Sequence, residues 1–308
     1  MHKTIIGLKK AIPYIRLYKN KVFVVKVGGK ILEKKKALAA LCEDVTLLQQ
    51  LGIKLVLVHG GGVQASELSQ KLGIEPKFVA GRRVTDTDTL DVAKMVYAGS
   101  LNIEILSALR AHQTQAVGIS GVDGCLITAT KRPLVKIAPG PGEDPIDVDF
   151  GHVGDITHVN AAFLENLLDG GSVPVVSSLA ADNEGNVLNI NADSIAEALA
   201  KALNAEKLFF LTDTDGILSD VDDPSSVISY TDIAGIQKLK DSGALKGGML
   251  PKVDACIGAL KSGVRRTHII NGTKPDALLL EAFTNAGCGT MIVNAVEQKN
   301  YQNGELGA

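Results

Sequence analysis

Short apolar β-branched runs alternate with stretches of helical periodicity along most of this 308-residue chain. Two of the runs, Val22 to Val27 and Lys54 to Val58, end in glycines and flank a helical stretch from Lys34 to Gln50, which predicts a β-α-β unit. Further helices are expected at Gly62 to Leu72, Thr87 to Ala98 and Asn102 to His112, with strands at Ala116 to Ser120, Ser172 to Val176 and Lys207 to Leu211. Such alternation argues for an α/β protein with a parallel sheet covered on both faces. Between about Gly121 and Ile156 the pattern turns short and polar, with Pro133, Pro139, Pro141 and Pro145, which suits hairpins at a lid or sheet edge. From Asp193 onward the alternation resumes, with helices expected at Ser194 to Leu203, Thr231 to Ser242, Val253 to Ser262 and Asp276 to Phe283. Ahead of the first strand, Thr4 to Lys19 carries Ile5, Leu8, Ile12 and Ile15 at near-helical spacing, an apolar stripe expected to seek a partner surface, with Pro13 expected to kink or interrupt it. The polar tail from Glu297 to Ala308 is expected to fray.

Composition narrows the function classes. Lys and Arg total 32 against 34 Asp and Glu, a formal charge of −2, so the basic excess typical of nucleic-acid binding is missing. The continuous apolar runs fall short of the roughly 18 residues that a membrane span needs, and the N-terminus does not read as a secretory signal. Cys42, Cys125, Cys256 and Cys288 are scattered without a Cys-x-x-Cys pair. Neither a disulfide framework nor a zinc knuckle suggests itself, and reduced thiols in a cytoplasmic protein are expected.

Two common phosphate-binding signatures are missing: Gly-x-Gly-x-x-Gly after a strand and Gly-x-x-x-x-Gly-Lys-Ser/Thr. Asp149-Phe150-Gly151 mimics a protein-kinase triplet without the His-Arg-Asp loop that should precede it. Instead, Lys26-Val27-Gly28-Gly29 closes the first strand and His59-Gly60-Gly61-Gly62 closes the second. Glycines there admit backbone amides close to a ligand, and a helix starting near Gly62 offers free N–H groups to an anion. Two such loops side by side at the carboxyl ends of parallel strands mark a crevice. Lys26 interrupts an apolar strand, which sets it apart from a solvated lysine. His59 reads as a residue that packs or hydrogen-bonds at its turn without moving protons. Asn189 and Asn191, two apart, would share one side of an extended strand.

In this order the chain resembles the amino-acid kinase family, nearest to its members that phosphorylate acetylglutamate. The matching segments are Lys26-Val27-Gly28-Gly29, His59-Gly60-Gly61-Gly62, Gly81-Arg82-Arg83-Val84-Thr85, Asn189-Ile190-Asn191-Ala192-Asp193, Thr212-Asp213-Thr214-Asp215-Gly216-Ile217-Leu218 and Gly248-Met249-Leu250-Pro251-Lys252. The resemblance implies a three-layer α-β-α sandwich and ATP-dependent phosphorylation of the side-chain carboxylate of N-acetyl-L-glutamate, the second step of arginine biosynthesis. It assigns Lys26 and Lys252 to the transferring phosphoryl group and Asp193 to orienting both. Arg83, Asn189, Asn191 and the amides of Gly61 and Gly62 would bind the acceptor. Gly28, Gly29, Asp213, Thr214, Asp215, Gly216, Ile217 and Leu218, with Ala244, Leu245 and Lys246, would bind ATP, which brings Mg²⁺ held mainly by phosphates and water. A carboxylate acceptor with a reference pKa of about 4.3 is already ionised at neutral pH, so a general base is superfluous.

The same resemblance implies an N-terminal oligomerisation helix over about 1–20 and a kinase domain over 21–308, with an acceptor lobe to about 190 and an ATP lobe over about 191–295. It points to a homo-oligomer, a dimer or a hexamer built as a trimer of dimers, and to feedback inhibition by arginine bound near His268, Glu281 and Gly287. Asn271 and Thr273 stand where the family usually has Asp and Arg, and Val122 replaces a frequent lysine. A related kinase acting on an aminoadipate derivative, one methylene longer, and a non-catalytic arginine sensor are the alternative readings.

Overall fold

The computed structural model describes residues 2–137, 144–220, 222–223, 225–245, 247–284, 287–294 and 297, with backbone alone for 2–8 and 10. Its centre is an eight-stranded sheet in the order Tyr230–Asp232, Thr290–Val293, Arg266–Asn271, Lys207–Thr212, Val22–Val27, Lys54–His59, Val173–Ser177, Ala116–Ser120. The six strands from Arg266–Asn271 to Ala116–Ser120 are mutually parallel. Thr290–Val293 runs antiparallel to Arg266–Asn271 and carries Tyr230–Asp232 parallel to itself. The central strands are buried almost throughout because helices cover both faces.

Side-chain alternation divides the core in two. Val25, Leu57 and Phe209 face one layer, which includes the Lys35–Gln50 helix. Val24, Val56 and Phe210 face the other, with the helices Ala192–Ala202 and Met249–Lys261. A smaller four-stranded sheet, Val187–Asn189, Leu179–Ala181, Ile127–Lys131, Gly154–Val159, adjoins the carboxyl end. The turn-rich segment does form hairpins: Ile127–Lys131 pairs antiparallel with Gly154–Val159, and Val135–Ile137 with Ile146–Val148. Pro139 and Pro141 lie outside the described residues. In Asp149-Phe150-Gly151, Phe150 is buried, the Asp149 carboxylate accepts from the Gly151 amide, and Gly151 bridges to Thr85.

Four elements depart from the expected bounds for local reasons. The Ala192–Ala202 helix starts two residues early because Asn191 caps it, its Oδ1 accepting from Asp193 N at 2.7 Å. Met249–Lys261 starts ahead of Val253 because Pro251 falls in the first turn, where its missing N–H costs nothing. Thr231 belongs to a strand, and the following helix begins at Ile233 with Asp232 as its cap. The N-terminal helix His2–Tyr18 runs through Pro13, which is exposed, so the carbonyl that loses its partner can be hydrated. Its end docks on the chain's own core through Tyr14, Leu17 and Tyr18. The Ile5 and Leu8 side chains lie outside the described residues.

One helical run extends from Thr87 to Ala111 and is, by length and composition alone, apolar enough to cross a membrane. Leu90, Val92, Ala93, Val96, Tyr97, Leu101, Ile105 and Leu109 are buried in the core, which accounts for that composition. The run is not uniform: Lys94–Leu101 forms a wide π-helical turn between α-helical pieces. Such turns are rare and gather at functional sites.

Candidate active site

Three basic and acidic side chains from three elements meet at the carboxyl end of the sheet. Lys26 is the penultimate residue of its strand and is 8% exposed; Asp193, in the first turn of its helix, is 5% exposed. The Lys26 ammonium lies 2.7 Å from Asp193 Oδ1 as a close charge contact. Lys252, in the first turn of Met249–Lys261, donates to Asp193 Oδ2 at 3.3 Å and to Gly248 O at 3.0 Å. Burial pulls the Lys26 pKa below the ordinary lysine value, an effect that Asp193 offsets in part and the nearby Lys252 reinforces. For Asp193, burial by itself would raise the pKa, but the two ammonium groups outweigh it and hold the carboxyl below its usual range. One ionised carboxylate therefore serves two cations, leaving a net positive charge where an anion would sit.

The glycine loops flank this cluster. Gly28 N donates to Leu211 O at 3.0 Å, and a Cβ on Gly28 would stand only 2.8 Å from that oxygen. Gln64 Nε2 donates to Gly29 O at 3.1 Å and so ties the two loops together. Gly61 precedes the ten-residue helix Gly62–Lys71, whose first N–H groups have no partner within the helix. Around Gly62 a Cβ would meet nothing within 4 Å, so that side is open.

Arg83, from the short strand Arg82–Arg83, reaches this loop. Its Nη2 donates to Gly62 O at 2.7 Å and to Ser66 Oγ at 2.6 Å, its plane lies over the Phe78 ring, and its buried Nη1 has no partner among the described residues. An unused guanidinium face beside free amides suits a carboxylate. Asn189 and Asn191 do not share a strand face, because the strand stops at Asn189 and Asn191 turns to cap the next helix. Asn189 Nδ2 donates to Thr85 Oγ1 at 3.1 Å.

The 212–218 loop follows the strand beside Val22–Val27, so it opens next to Gly28. Asp213 pairs with Lys30 at 2.6 Å, and Asp215 with Lys274 at 2.7 Å while accepting from Asn271. Thr214 is held by Thr212 Oγ1. Gly216 has φ 137° and sits against Thr290, whose Oγ1 accepts from Ile217 N at 2.8 Å. Ile217 and Leu245 are buried core residues, Leu218 bridges to Val227, and Ala244 is half-buried. Lys246 lies outside the described residues.

His268 and Glu281 form a separate cluster on the opposite face of the sheet, where His268 stacks on Phe209. His268 Nδ1 is 2.7 Å from Glu281 Oε1, and Cys288 N donates to Oε2 at 2.7 Å. Gly287, at φ 59°, sits so close to Glu281 that a Cβ would stand 2.9 Å from Oε2. Burial lowers the His268 pKa to about 4, and its hydrogen bond to Glu281 helps overcome burial to bring the carboxyl to about 2. At neutral pH the pair is thus a neutral imidazole and a carboxylate.

Sequence reasoning did not single out Ser66, Tyr97 or Asn102, and it gave Thr85 no role beyond its place in a matching segment; each touches a loop or site residue. Their contacts are long-range and leave no spacing signal, except that Gly99-Ser100 inside a helical stretch hints at an irregular turn.

Comparison with known proteins fits this geometry. The sequence pattern of the amino acid kinase family matches residues 21–271. The acetylglutamate kinase of Methanothrix thermoacetophila is 44% identical over 287 residues, 93% of this chain and 97% of that protein. Among solved structures, N-acetylglutamate synthase from Neisseria gonorrhoeae complexed with coenzyme A and N-acetyl-glutamate superposes with a TM-score of 0.79 at 30% identity; the match covers 94% of this chain and 63% of that one. The same synthase complexed with coenzyme A and L-arginine gives a TM-score of 0.78 at 27% identity, covering 94% and 65%. This chain thus spans less than two thirds of the synthase's length. On the pattern and the near full-length kinase relatives, the chain belongs to the amino-acid kinase family and, within it, to the acetylglutamate kinases.

Proposed function

We propose that the protein transfers the γ-phosphoryl group of ATP to the side-chain carboxylate of N-acetyl-L-glutamate, a step of arginine biosynthesis. The observation that carries this reading is the convergence of Lys26 and Lys252 on Asp193 beside two glycine loops. A carboxylate oxygen of the acceptor forms the new bond to phosphorus, the β–γ bridging bond breaks with its electrons passing to ADP, and the products are an acyl phosphate and ADP. Charge spreads over the peripheral phosphoryl oxygens in the transition state, so fixed cations supply the catalysis. Lys26 and Lys252 are those cations, with Asp193 holding both in register. Arg83, Asn189 and the Gly61 and Gly62 amides hold the acceptor, while the 213–218 loop and the Gly28-Gly29 turn hold the nucleotide.

Asp213 and Asp215 are each engaged by a lysine. That donor set suits Mg²⁺ carried by phosphate oxygens and water, where it would neutralise nucleotide charge. The four free cysteines suit the reducing cytoplasm. An arginine effector at the Glu281 cluster and a homo-oligomer, a dimer or a hexamer, complete the proposal. A guanidinium is the natural partner of a carboxylate and would compete with His268 and the Cys288 amide for Glu281, and the synthase neighbour was solved with L-arginine.

Trapping the product as its hydroxamate, with ATP and N-acetylglutamate, tests the reaction directly. ATP-dependent hydroxamate with matching ADP release is expected. Turnover only on the aminoadipate analogue would shift the acceptor by one methylene, and no turnover on either would overturn the proposal.

A further inference from the structure

His59 ends the Lys54–His59 strand and is fully buried, yet the phosphoryl-transfer chemistry gives it no task. Its Nδ1 lies 2.9 Å from Gly60 O. A carbonyl oxygen can only accept, so Nδ1 carries the proton and Nε2 presents a lone pair. Asn102 Nδ2 stands 3.3 Å from Nε2 and 3.1 Å from Val175 O, and both of these neighbours are acceptors, which settles the orientation of the amide. Its Oδ1 is pressed against Gly118, where a Cβ could not fit. Burial lowers the His59 pKa to about 4, so the ring is neutral at physiological pH.

Peptide geometry turns these bonds into an orientation. Across a planar trans peptide the C=O and N–H point in opposite directions. Drawing the Gly60 carbonyl inward therefore turns the Gly61 N–H outward. Gly61 O accepts from Ala65 N at 2.8 Å, which likewise aims the Gly62 N–H away from its helix. Beneath the loop, Tyr97 and Leu101 of the π-helical turn leave no room for a side chain at Gly61. Asn102 directly follows that turn, with its backbone N–H on Gly99 O, so floor and clamp come from one helical run.

We propose that His59 and Asn102 are positioning residues for phosphoryl transfer: Asn102 fixes the imidazole, His59 clamps the Gly60 carbonyl inward, and the Gly61 amide is thereby aimed at the acceptor carboxylate. This rests on the acceptor assignment made above for Gly61 and Gly62. A neutral imidazole, with a donor at one end and an acceptor at the other, joins the two partners. A leucine of similar bulk would leave both unsatisfied.

The test uses the full chain with His59→Leu, His59→Asn and Asn102→Asp. The asparagine amide can retain the donor near the Nδ1 position, so His59→Asn should keep most activity. Asn102→Asp offers an acceptor to the ring, draws its proton to Nε2 and leaves a lone pair facing Gly60 O. His59→Leu and Asn102→Asp should lose on the order of 100-fold in kcat/KM for acetylglutamate, as expected for a misplaced acceptor. The KM for ATP should stay within about twofold in both. Imidazole ¹⁵N shifts should report a protonated Nδ1 in the parent protein and a protonated Nε2 in Asn102→Asp. A protonated Nε2 in the parent, equal losses in His59→Asn and His59→Leu at matched thermal midpoints, or equal changes in the two KM values would overturn the clamp. Should the parent protein itself fail to phosphorylate acetylglutamate, the reaction assignment falls while the imidazole shifts still decide the clamp.

Discussion

Replacing Asp193 by asparagine keeps the shape of the side chain and removes the single negative charge between two ammonium groups. At an effective dielectric of about 20, attraction is about 6 kcal/mol over the 2.7 Å contact to Lys26 and about 5 kcal/mol over the 3.3 Å contact to Lys252. Burial of all three groups cancels much of that sum. Breaking a buried pair by deleting one partner nevertheless costs about 3–5 kcal/mol, because the survivor stays desolvated. Lys26, the more buried lysine, bears most of the loss. Chemical denaturation of the unliganded variant should register it. Catalysis should fall as well, with kcat down by about 10²–10³, the usual effect of losing one preorganised electrostatic group. The pH profile carries a sign: Asp193 raises the Lys26 pKa against the lowering by burial and Lys252. Without it that pKa drops further, and the alkaline limb of the kcat profile should move to lower pH. Hydroxamate formation measured across pH, alongside denaturation, checks all three effects. Unchanged stability together with a kcat within about threefold of the parent would refute the charge argument.

Lys252→Ala should depress kcat more than it raises either KM, whereas Arg83→Ala should chiefly raise the KM for acetylglutamate; matching kinetic patterns in the two variants would contradict the division of roles. Gly216→Ala combines a φ of 137° with a Cβ placed 2.6 Å from Thr290 Oγ1, so it should raise the KM for ATP and spare that for the acceptor. An acceptor-side defect instead would detach this loop from the nucleotide. Asp44 accepts from Leu278 N at 3.2 Å, and burial raises its pKa from 3.8 to about 7. The folded chain therefore holds this proton where the unfolded chain has released it, and stability contributed by Asp44 is present at acid pH and lost as pH rises from about 4 to about 7. At about 1.36 kcal/mol per pH unit, the full span is worth up to about 4 kcal/mol. Asp44→Asn should flatten that part of the stability curve, and parallel curves for the two proteins would rule the shift out.

Local rules made the alternation of strands and helices legible, together with the two glycine loops and the odd placement of Lys26 in an apolar strand. A strand's period of two and a helix's period of 3.6 are written into neighbouring residues, so they survive without knowledge of the fold. Element starts were less legible. The helices at Ala192 and Met249 begin earlier than periodicity suggests, because a capping asparagine and a first-turn proline outrank the apolar pattern. Those few residues matter, since they put both Asp193 and Lys252 in helical first turns.

Meetings between distant segments were beyond local reading. That Asp193 sits between Lys26 and Lys252 follows from which face of the sheet each helix covers. Asn102, the first residue after a π-helical turn, meets His59 from 43 positions away in the chain. The sequence on its own determined the chemistry available, the glycine turns and the order of elements, all consequences of short-range sterics and hydrophobic periodicity. Tertiary packing decided which charges share a buried space and which carbonyls face inward, because burial and Coulomb attraction depend on distance in space and not along the chain.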